Sequence, residues 1–380
     1  MDKCCQGLQS GTVRINEAPG VVVVLPIRAA PVTRGIKRLF CGPGTLESAS
    51  CRQEILCAEE RAIRRPAIFL PEQLERVTGT GAYSTKEGQI AAATSPTATH
   101  APTIAYHIKN AVLFDGSIYA GRLKHFVADK SLFNSSMSEP RHIKTVGLAS
   151  SFMGTKFFAH WLTDDCIQYL LAENNGQPLC LRRPIYREGH QQKYEAYLDQ
   201  DWTPVDRAWI DHLIVYQDFA QNSLKGARYR LLRERVRARF SRSSSRSLVY
   251  LRRGTSGVRR VIQNEKEIID VLTQRGFTVV DIERDSLEHL LEILASAKIV
   301  ISIEGSHAGH CAFTVPANSG FIVLQPPDRF SGWHRGWMDS VGVKFGFVVG
   351  AMGESGYSFS CSEILRTLDL MLRSVDVELA

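Results

Sequence analysis

The sequence predicts an α/β protein of two domains, and three observations carry that prediction. From residue 248 onward, short apolar β-branched runs alternate with amphipathic helical stretches in the order β-α-β-α-β-α-β, with short connections. Such an alternation predicts a parallel, Rossmann-like sheet covered by helices. Directly before it stands Ser241-Arg-Ser-Ser-Ser-Arg-Ser247, a small and polar run of linker composition. The chain of 380 residues is also long enough for two domains of ordinary size. The expected division is an irregular arm over 1–60, an N-terminal α/β domain over 61–245 and a C-terminal domain over 246–380.

Composition narrows the function classes. The 46 Lys+Arg against 39 Asp+Glu leave a formal charge of +7, which fits an anionic ligand without requiring one. The nine cysteines include no CxxC pair, so neither a zinc site nor a disulfide framework is expected. Their scatter points to a reducing cytosol. Val21-Val-Val-Val-Leu-Pro-Ile27 is the most apolar N-terminal run. It is far shorter than the roughly 20 residues of a spanning helix, has no basic leader directly before it, and reads as a strand. The expected location is cytoplasmic, with attachment to a membrane surface left open.

Residues 1–60 are poorly patterned, because Gly, Pro, Ser and Cys break every apolar segment after Ile27. Ala67-Ile-Phe-Leu70, flanked by Pro66 and Pro71, reads as a short strand. Residues 78–104 have a loop composition. Strand-like segments follow at Thr103–His107, Ala111–Phe114 and Ser117–Tyr119, and Asp115-Gly116 is a hairpin signal. This predicts a β-rich segment within the N-terminal domain.

From residue 146 the pattern turns helical. Phe157 to Leu171 is dense in apolar residues without one clean stripe, as in a mostly buried helix. His160 and Asp164, four apart, share a face. A polar pair there implies either an internal hydrogen bond or a cleft. Leu179-Cys-Leu181 and His212–Tyr216 are strand-like. Asn222 to Phe240 is a basic helix in which Tyr229, Leu232, Val236 and Phe240 form the buried stripe and arginines fill the other faces. A solvated face explains such a charge run, and nucleic acid, an acidic membrane surface or an anionic ligand are the alternatives. No stacking aromatics interleave the arginines, which argues against nucleic acid.

In the C-terminal domain, Leu248–Leu251 is a strand ending in Arg252-Arg253-Gly254. Asn264 to Glu267 has capping-box spacing and opens a helix that Gly276 stops. Phe277–Asp281 is the next strand. Ser286 caps a helix with Leu287, Leu290, Leu291 and Leu294 on one face. The strand Ile299–Ile303 runs into Glu304-Gly305-Ser306-His307, where Gly305 permits a sharp turn and Ser306 can cap a helix from His307. Strands at Phe321–Leu324 and Phe345–Val349 and a terminal amphipathic helix over Ser362–Arg373 complete the pattern.

Ligands of open parallel sheets bind beyond the carboxyl ends of the strands. Arg252, Arg253, Gly254, Asp281, Glu283, Glu304, Gly305, Ser306, His307 and Gln325 stand there, with Arg259 and Arg260 close behind the first strand. Guanidinium forks suit phosphate oxygens. Acids suit ribose hydroxyls, and a Gly-Ser turn before a helix can cradle an anion. Together they sketch a nucleotide-diphosphate pocket, the alternative being arginines that only solubilise the surface. No GxGxxG follows the first strand and no GxxxxGK[ST] occurs, which counts against a dinucleotide site and excludes a standard P-loop.

Tyr250-Leu-Arg-Arg253, Arg259-Arg260-Val-Ile-Gln-Asn264-Glu265, Gly276-Phe-Thr-Val-Val and Ala297-Lys-Ile-Val-Ile-Ser-Ile-Glu304-Gly305-Ser306 together resemble the C-terminal half of family 61 glycosyltransferases. In bacteria these are represented by capsular-polysaccharide-type proteins. Phe158-Ala-His160-Trp161-Leu162 resembles the family's short His-containing motif. The resemblance covers about residues 155–325. It implies a GT-B-like architecture, two Rossmann-like domains facing a cleft, with the nucleotide sugar mainly on the C-terminal one. It also implies inverting transfer to a hydroxyl of a glycan or glycoconjugate, with no cofactor and no obligatory metal. Asp199-Gln-Asp201 has the DxD form of one metal-dependent class, but its polar loop lacks the ligand context of a metal site. By position, Arg253 and Arg259 or Arg260 would neutralise the diphosphate. Glu304-Gly305-Ser306 departs from the family's common His-Gly-Ala. Glu304 would then bind ribose or sugar hydroxyls, with His307 or His310 taking over part of the lost role. The base that deprotonates the acceptor is expected from His160 or Asp164, with Asp165 behind. The competing expectation is a non-catalytic scaffold in a polysaccharide assembly complex.

Overall fold

The computed structural model describes residues 27–81, 84–133, 139–184, 189–240, 246–254, 258 and 260–377, with the short strands Thr12–Val13 and Val23–Val24. Residues 241–245 of the expected linker, and the site candidate Arg259, lie outside the described residues. The chain forms two units. One comprises Met1–Glu59 with Ala101–Lys225, the other Glu60–His100 with Gly226–Ala380.

The first unit is built on a six-stranded mixed sheet. Its strand order is Leu123–Phe126, Ser117–Ala120, Thr103–Phe114, Ala208–Gln217, Arg141–Gly147, and Arg52–Cys57 pairs with the start of the long strand Thr103–Phe114. Asp115 and Gly116 take φ of 47° and 69°, the left-handed pair of a type I′ turn. They fold Ser117–Ala120 antiparallel onto Val112–Phe114. Arg141–Gly147 and Ala208–Gln217 pair parallel, which requires a crossover. The helices over residues 152–172 and His190–Leu198 provide it. The α/β character of this unit therefore rests on one β-α-β unit. The rest of the sheet is antiparallel, so the β-rich segment signalled by Asp115-Gly116 makes up most of it. Leu179 forms only an isolated bridge to Leu148, not the expected strand.

The second unit carries the Rossmann-like sheet. All five strands are parallel, in the order Phe277–Asp281, Ser247–Arg252, Ala297–Ile303, Gly320–Gln325, Lys344–Val349. By position along the chain this is 2-1-3-4-5, a doubly wound order whose direction reverses between the first and third strands. Ile268 and Leu272 of one helix and Ile364, Leu368 and Met371 of another pack against Tyr250, Ile299, Ile301, Ile322 and Leu324. Leu287, Leu290, Leu291 and Leu294 are all buried, as their spacing predicts. Each such side chain contributes about 1.5–3 kcal/mol relative to exposure.

Residues 60–100, expected with the N-terminal domain, group with the second unit. Their backbone groups find partners there. Ile68 N donates to Phe345 O at 3.0 Å and Phe347 N to Ile68 O at 3.0 Å. Buried Arg335 donates to Ala93 O and Arg65 O, both at 2.8 Å. Arg64 Nε meets Asp339 at 2.6 Å.

Of the caps expected at Ser286 and Asn264, one forms and one does not. Ser286 accepts from His289 N at 3.2 Å as predicted. Asn264 makes no such bond to its own helix. It donates to Phe359 O at 2.9 Å and accepts from Phe359 N at 3.1 Å instead, pinning the segment ahead of the C-terminal helix.

Candidate functional site

The switch point of the second unit brings three predicted residues together. Arg253 follows the first strand; Gly305 and His307 follow the third. Ser302, in the third strand, donates its hydroxyl to Leu251 O at 2.6 Å and lies 2.7 Å from His307 Nε2. With its proton spent on the carbonyl, Ser302 accepts from the imidazole, so Nε2 carries the hydrogen. A Cβ built on Gly305 would lie 3.0 Å from His307 Nδ1 and 3.1 Å from Arg253 Nε. The glycine thus lets an arginine and a histidine close on one point of backbone. Arg253 and His307 are both buried. Behind them, buried His334 lies 3.3 Å from Gly305 O through Nε2.

Arg252 and Arg260 pair with acids of the same unit. Arg252 Nε donates to Glu265 at 3.0 Å and its NH1 to Asp281 at 3.1 Å. Arg260 donates Nε to Glu304 and a terminal nitrogen to Val258 O. Both members of the Arg260–Glu304 pair are largely buried, with side chains 8% and 13% exposed. Arg260 and Glu304, expected to meet diphosphate and hydroxyls separately, thus meet each other. Gln325 is spent on Ser331, through Nε2 to its carbonyl at 2.6 Å and Oε1 from its amide at 3.1 Å. Ser306 caps nothing. The helix begins at Ala308 with His307 at the cap position and no side-chain cap bond.

The first unit holds the second cluster. The strand Arg141–Gly147 ends before Ser151, His160 and Asp164, and the parallel strand Ala208–Gln217 ends before Asp218 and Lys225. The cluster therefore stands at the carboxyl edge of the one parallel pair among the described strands of this sheet, where α/β ligand sites form. The helix here widens into a π-type turn over Trp161–Asp165. Such turns often mark functional sites. His160 Nδ1 lies 2.7 Å from Asp164 Oδ2. Fully buried Lys225 donates to Asp164 Oδ1 and, at 3.1 Å, to Asp218 O. The Phe157 and Phe219 rings lie 6.2 and 5.9 Å from the imidazole.

Electrostatics splits the two neighbouring acids. Burial alone would lift the Asp164 carboxyl. The Lys225 ammonium and the His160 hydrogen bond outweigh it and hold the pKa at about 2. An ionised Asp164 accepts the His160 Nδ1 hydrogen, which makes Nε2 the basic nitrogen. Asp165 goes the other way, pushed well above the usual carboxylate range by burial, against two hydrogen bonds from Ser151. Those bonds are 3.0 Å from the amide and 2.6 Å from the hydroxyl. Ser151 in turn caps the helix Phe152–Lys156 through Gly154 N at 3.0 Å. Of the predicted trio, His160 and Asp164 are coupled to each other, and Asp165 anchors a helix start.

Sequence reasoning missed Lys225, Ser302 and His334. Lys225 carried a readable signal: a cation in the first turn of a helix opposes the dipole and calls for compensation. Ser302 lies inside an apolar run with nothing in the pattern to mark it. The arginine-rich helix Ser223–Phe240 is a solvated face only in part: Arg230 and Arg239 are exposed, whereas Arg233 is buried and Arg237 half-buried. Arg233 donates to Ala312 O and, at 2.8 Å, to Val315 O, and Arg237 donates to Thr314 O. These are the last carbonyls of the helix Ala308–Thr314 and its exit. Burial lowers the Arg233 pKa to about 10.

A family model matches residues 158–322 of the chain. The model is described as Glycosyltransferase 61, and its range holds His160, Asp164, Lys225, Arg253, Gly305 and His307. Among solved structures the chain is similar to E. coli ADP-heptose LPS heptosyltransferase II, at 14% identity with a TM-score of 0.25. The similarity covers 39% of this chain and 52% of that one, about half the length of that enzyme. No curated protein matches the chain.

Proposed function

We propose that the protein moves a sugar from a nucleoside-diphosphate sugar to a hydroxyl of a glycan or glycoconjugate, with inversion and without a metal. The observation that carries this reading is the convergence of Arg253 and His307 on Gly305 at the switch point of the parallel sheet. A guanidinium and an imidazole there suit the charge that grows on a departing diphosphate. His160 takes the acceptor proton on Nε2, and ionised Asp164 steadies the imidazolium. The acceptor oxygen then attacks the anomeric carbon as its bond to the diphosphate breaks on the opposite face. Metal independence is supported by the use of Asp201 as a turn residue. Its Oδ1 accepts from Thr203 N at 2.9 Å and Thr203 Oγ at 2.7 Å.

The Arg260–Glu304 pair favours a second reading, a binding member of a polysaccharide assembly without turnover, because it neutralises one cation of the donor edge. A thermal-shift screen of nucleotide sugars, followed by a diphosphate-release assay on those that bind, separates the two. A ligand at about 100 times its Kd adds about 2.7 kcal/mol of apparent stability. Stabilisation with release supports transfer, and stabilisation without release across an acceptor panel supports the binding reading. Absence of stabilisation by every nucleotide sugar rejects both.

A further inference from the structure

The helix Ala30–Cys41 of the first unit is amphipathic and turned apolar side outward. Thr33, Arg34 and Lys37 line a hollow with Asn110, Tyr119 and Trp209 of the sheet. Arg34 Nε donates there to Arg122 O at 3.3 Å. Three large apolar residues face solvent: Val32, Ile36 and Leu39 are 64%, 54% and 84% exposed. Their spacing of four and three puts them in one stripe. A helix that served only the fold would bury that stripe and expose its cations.

Along the helix and its flanks the charge has one sign. Residues 18–46 contain Arg28, Arg34, Lys37 and Arg38 and no acid. Arg28 and Arg38 are exposed. Lys124 stands close enough to Arg34 and Lys130 for their charges to lower its pKa, although burial is the larger cause. Asp115, 3.5 Å from Lys130, offsets one of these charges. An apolar stripe rimmed by cations fits a lipid surface, with aliphatic side chains among the acyl chains and guanidinium groups at anionic headgroups. A second copy of the chain fits poorly, since it would bring two such cationic rims together.

We propose that this helix docks the protein on an anionic bilayer surface through Val32, Ile36 and Leu39, with Arg28 and Arg38 at the headgroups. The docking does not depend on the transfer chemistry. The test is sedimentation of the full chain with phosphatidylcholine vesicles, with and without added phosphatidylglycerol, at low and high salt. The wild type is expected to pellet with anionic vesicles and to be released by salt. Val32→Glu, Ile36→Glu and Leu39→Glu together are expected to lower partitioning about tenfold or more. Arg28→Glu with Arg38→Glu should weaken binding and flatten its salt dependence. All five residues are exposed, and unchanged thermal melts of both variants show that folding is intact. Wild type left in the supernatant, or a triple variant that pellets equally, overturns the proposal. So does a wild-type dimer in solution that the triple variant dissolves, which would make the stripe a self-interface.

Discussion

Lys225 places a buried positive charge in the first turn of a helix, where the dipole opposes it. The ionised Asp164 carboxylate compensates. Replacing Lys225 by Met strands that carboxylate, and an expected loss of about 3–5 kcal/mol should appear in urea unfolding. Adding Asp164→Asn to Lys225→Met removes the stranded charge and should recover a large part of the loss. The pH response follows in sign. The Asp164 pKa falls from 3.8 to about 2 on folding, so its contribution is present above 3.8 and is lost as pH drops through about 2. Acid titration of Asp164→Asn should lack that component. Asp165 is opposite: its raised pKa erodes stability as pH climbs above 3.8. Asp165→Asn keeps an oxygen for Ser151 N and should equal or exceed the wild type in stability at neutral pH. For the reaction, His160→Asn and Asp164→Asn are each expected to lower kcat about 100-fold or more.

At the scale of elements, the strands and helices of the second unit were legible because both signals were strong. Ile299 to Ile303 is buried throughout, and the Leu287–Leu294 stripe keeps strict helical spacing. The allocation of arginines was not legible. Arg252 and Arg260 find acids 29 and 44 residues away, at Asp281 and Glu304. The parallel register sets Arg252 beside Asp281, and Arg260 meets Glu304 just past the end of the third strand. The same holds for His160, whose partner Asp164 was visible four residues on, whereas Lys225 lies 61 residues from that acid. Two elements carry tests. Gly305→Ala sets a Cβ 3.0–3.1 Å from His307 and Arg253. It is expected to raise KM for the donor more than it lowers kcat, as a steady-state titration of donor would show. Arg233→Met uncovers buried carbonyls at Ala312 and Val315 and should cost about 1–3 kcal/mol in chemical denaturation.

For the whole molecule, residues 60–100 show how far sequence order misleads about grouping. Their composition reads as loop and short strand, and the hydrogen bonds of Ile68 to the edge strand Lys344–Val349 and of Arg335 to Ala93 and Arg65 reveal where they belong. No helix among the described residues is long and apolar enough to cross a membrane. We propose that the parallel sheet of the second unit holds a nucleoside diphosphate against Arg253. Isothermal titration of UDP, GDP and ADP into the wild type and into Arg253→Ala tests it most directly. One diphosphate is expected to bind the wild type, and the variant is expected to bind it about 10- to 100-fold more weakly, the loss of one charged hydrogen-bond partner. A folded wild type that binds none of the three, or a variant that binds as tightly as the wild type, would contradict it.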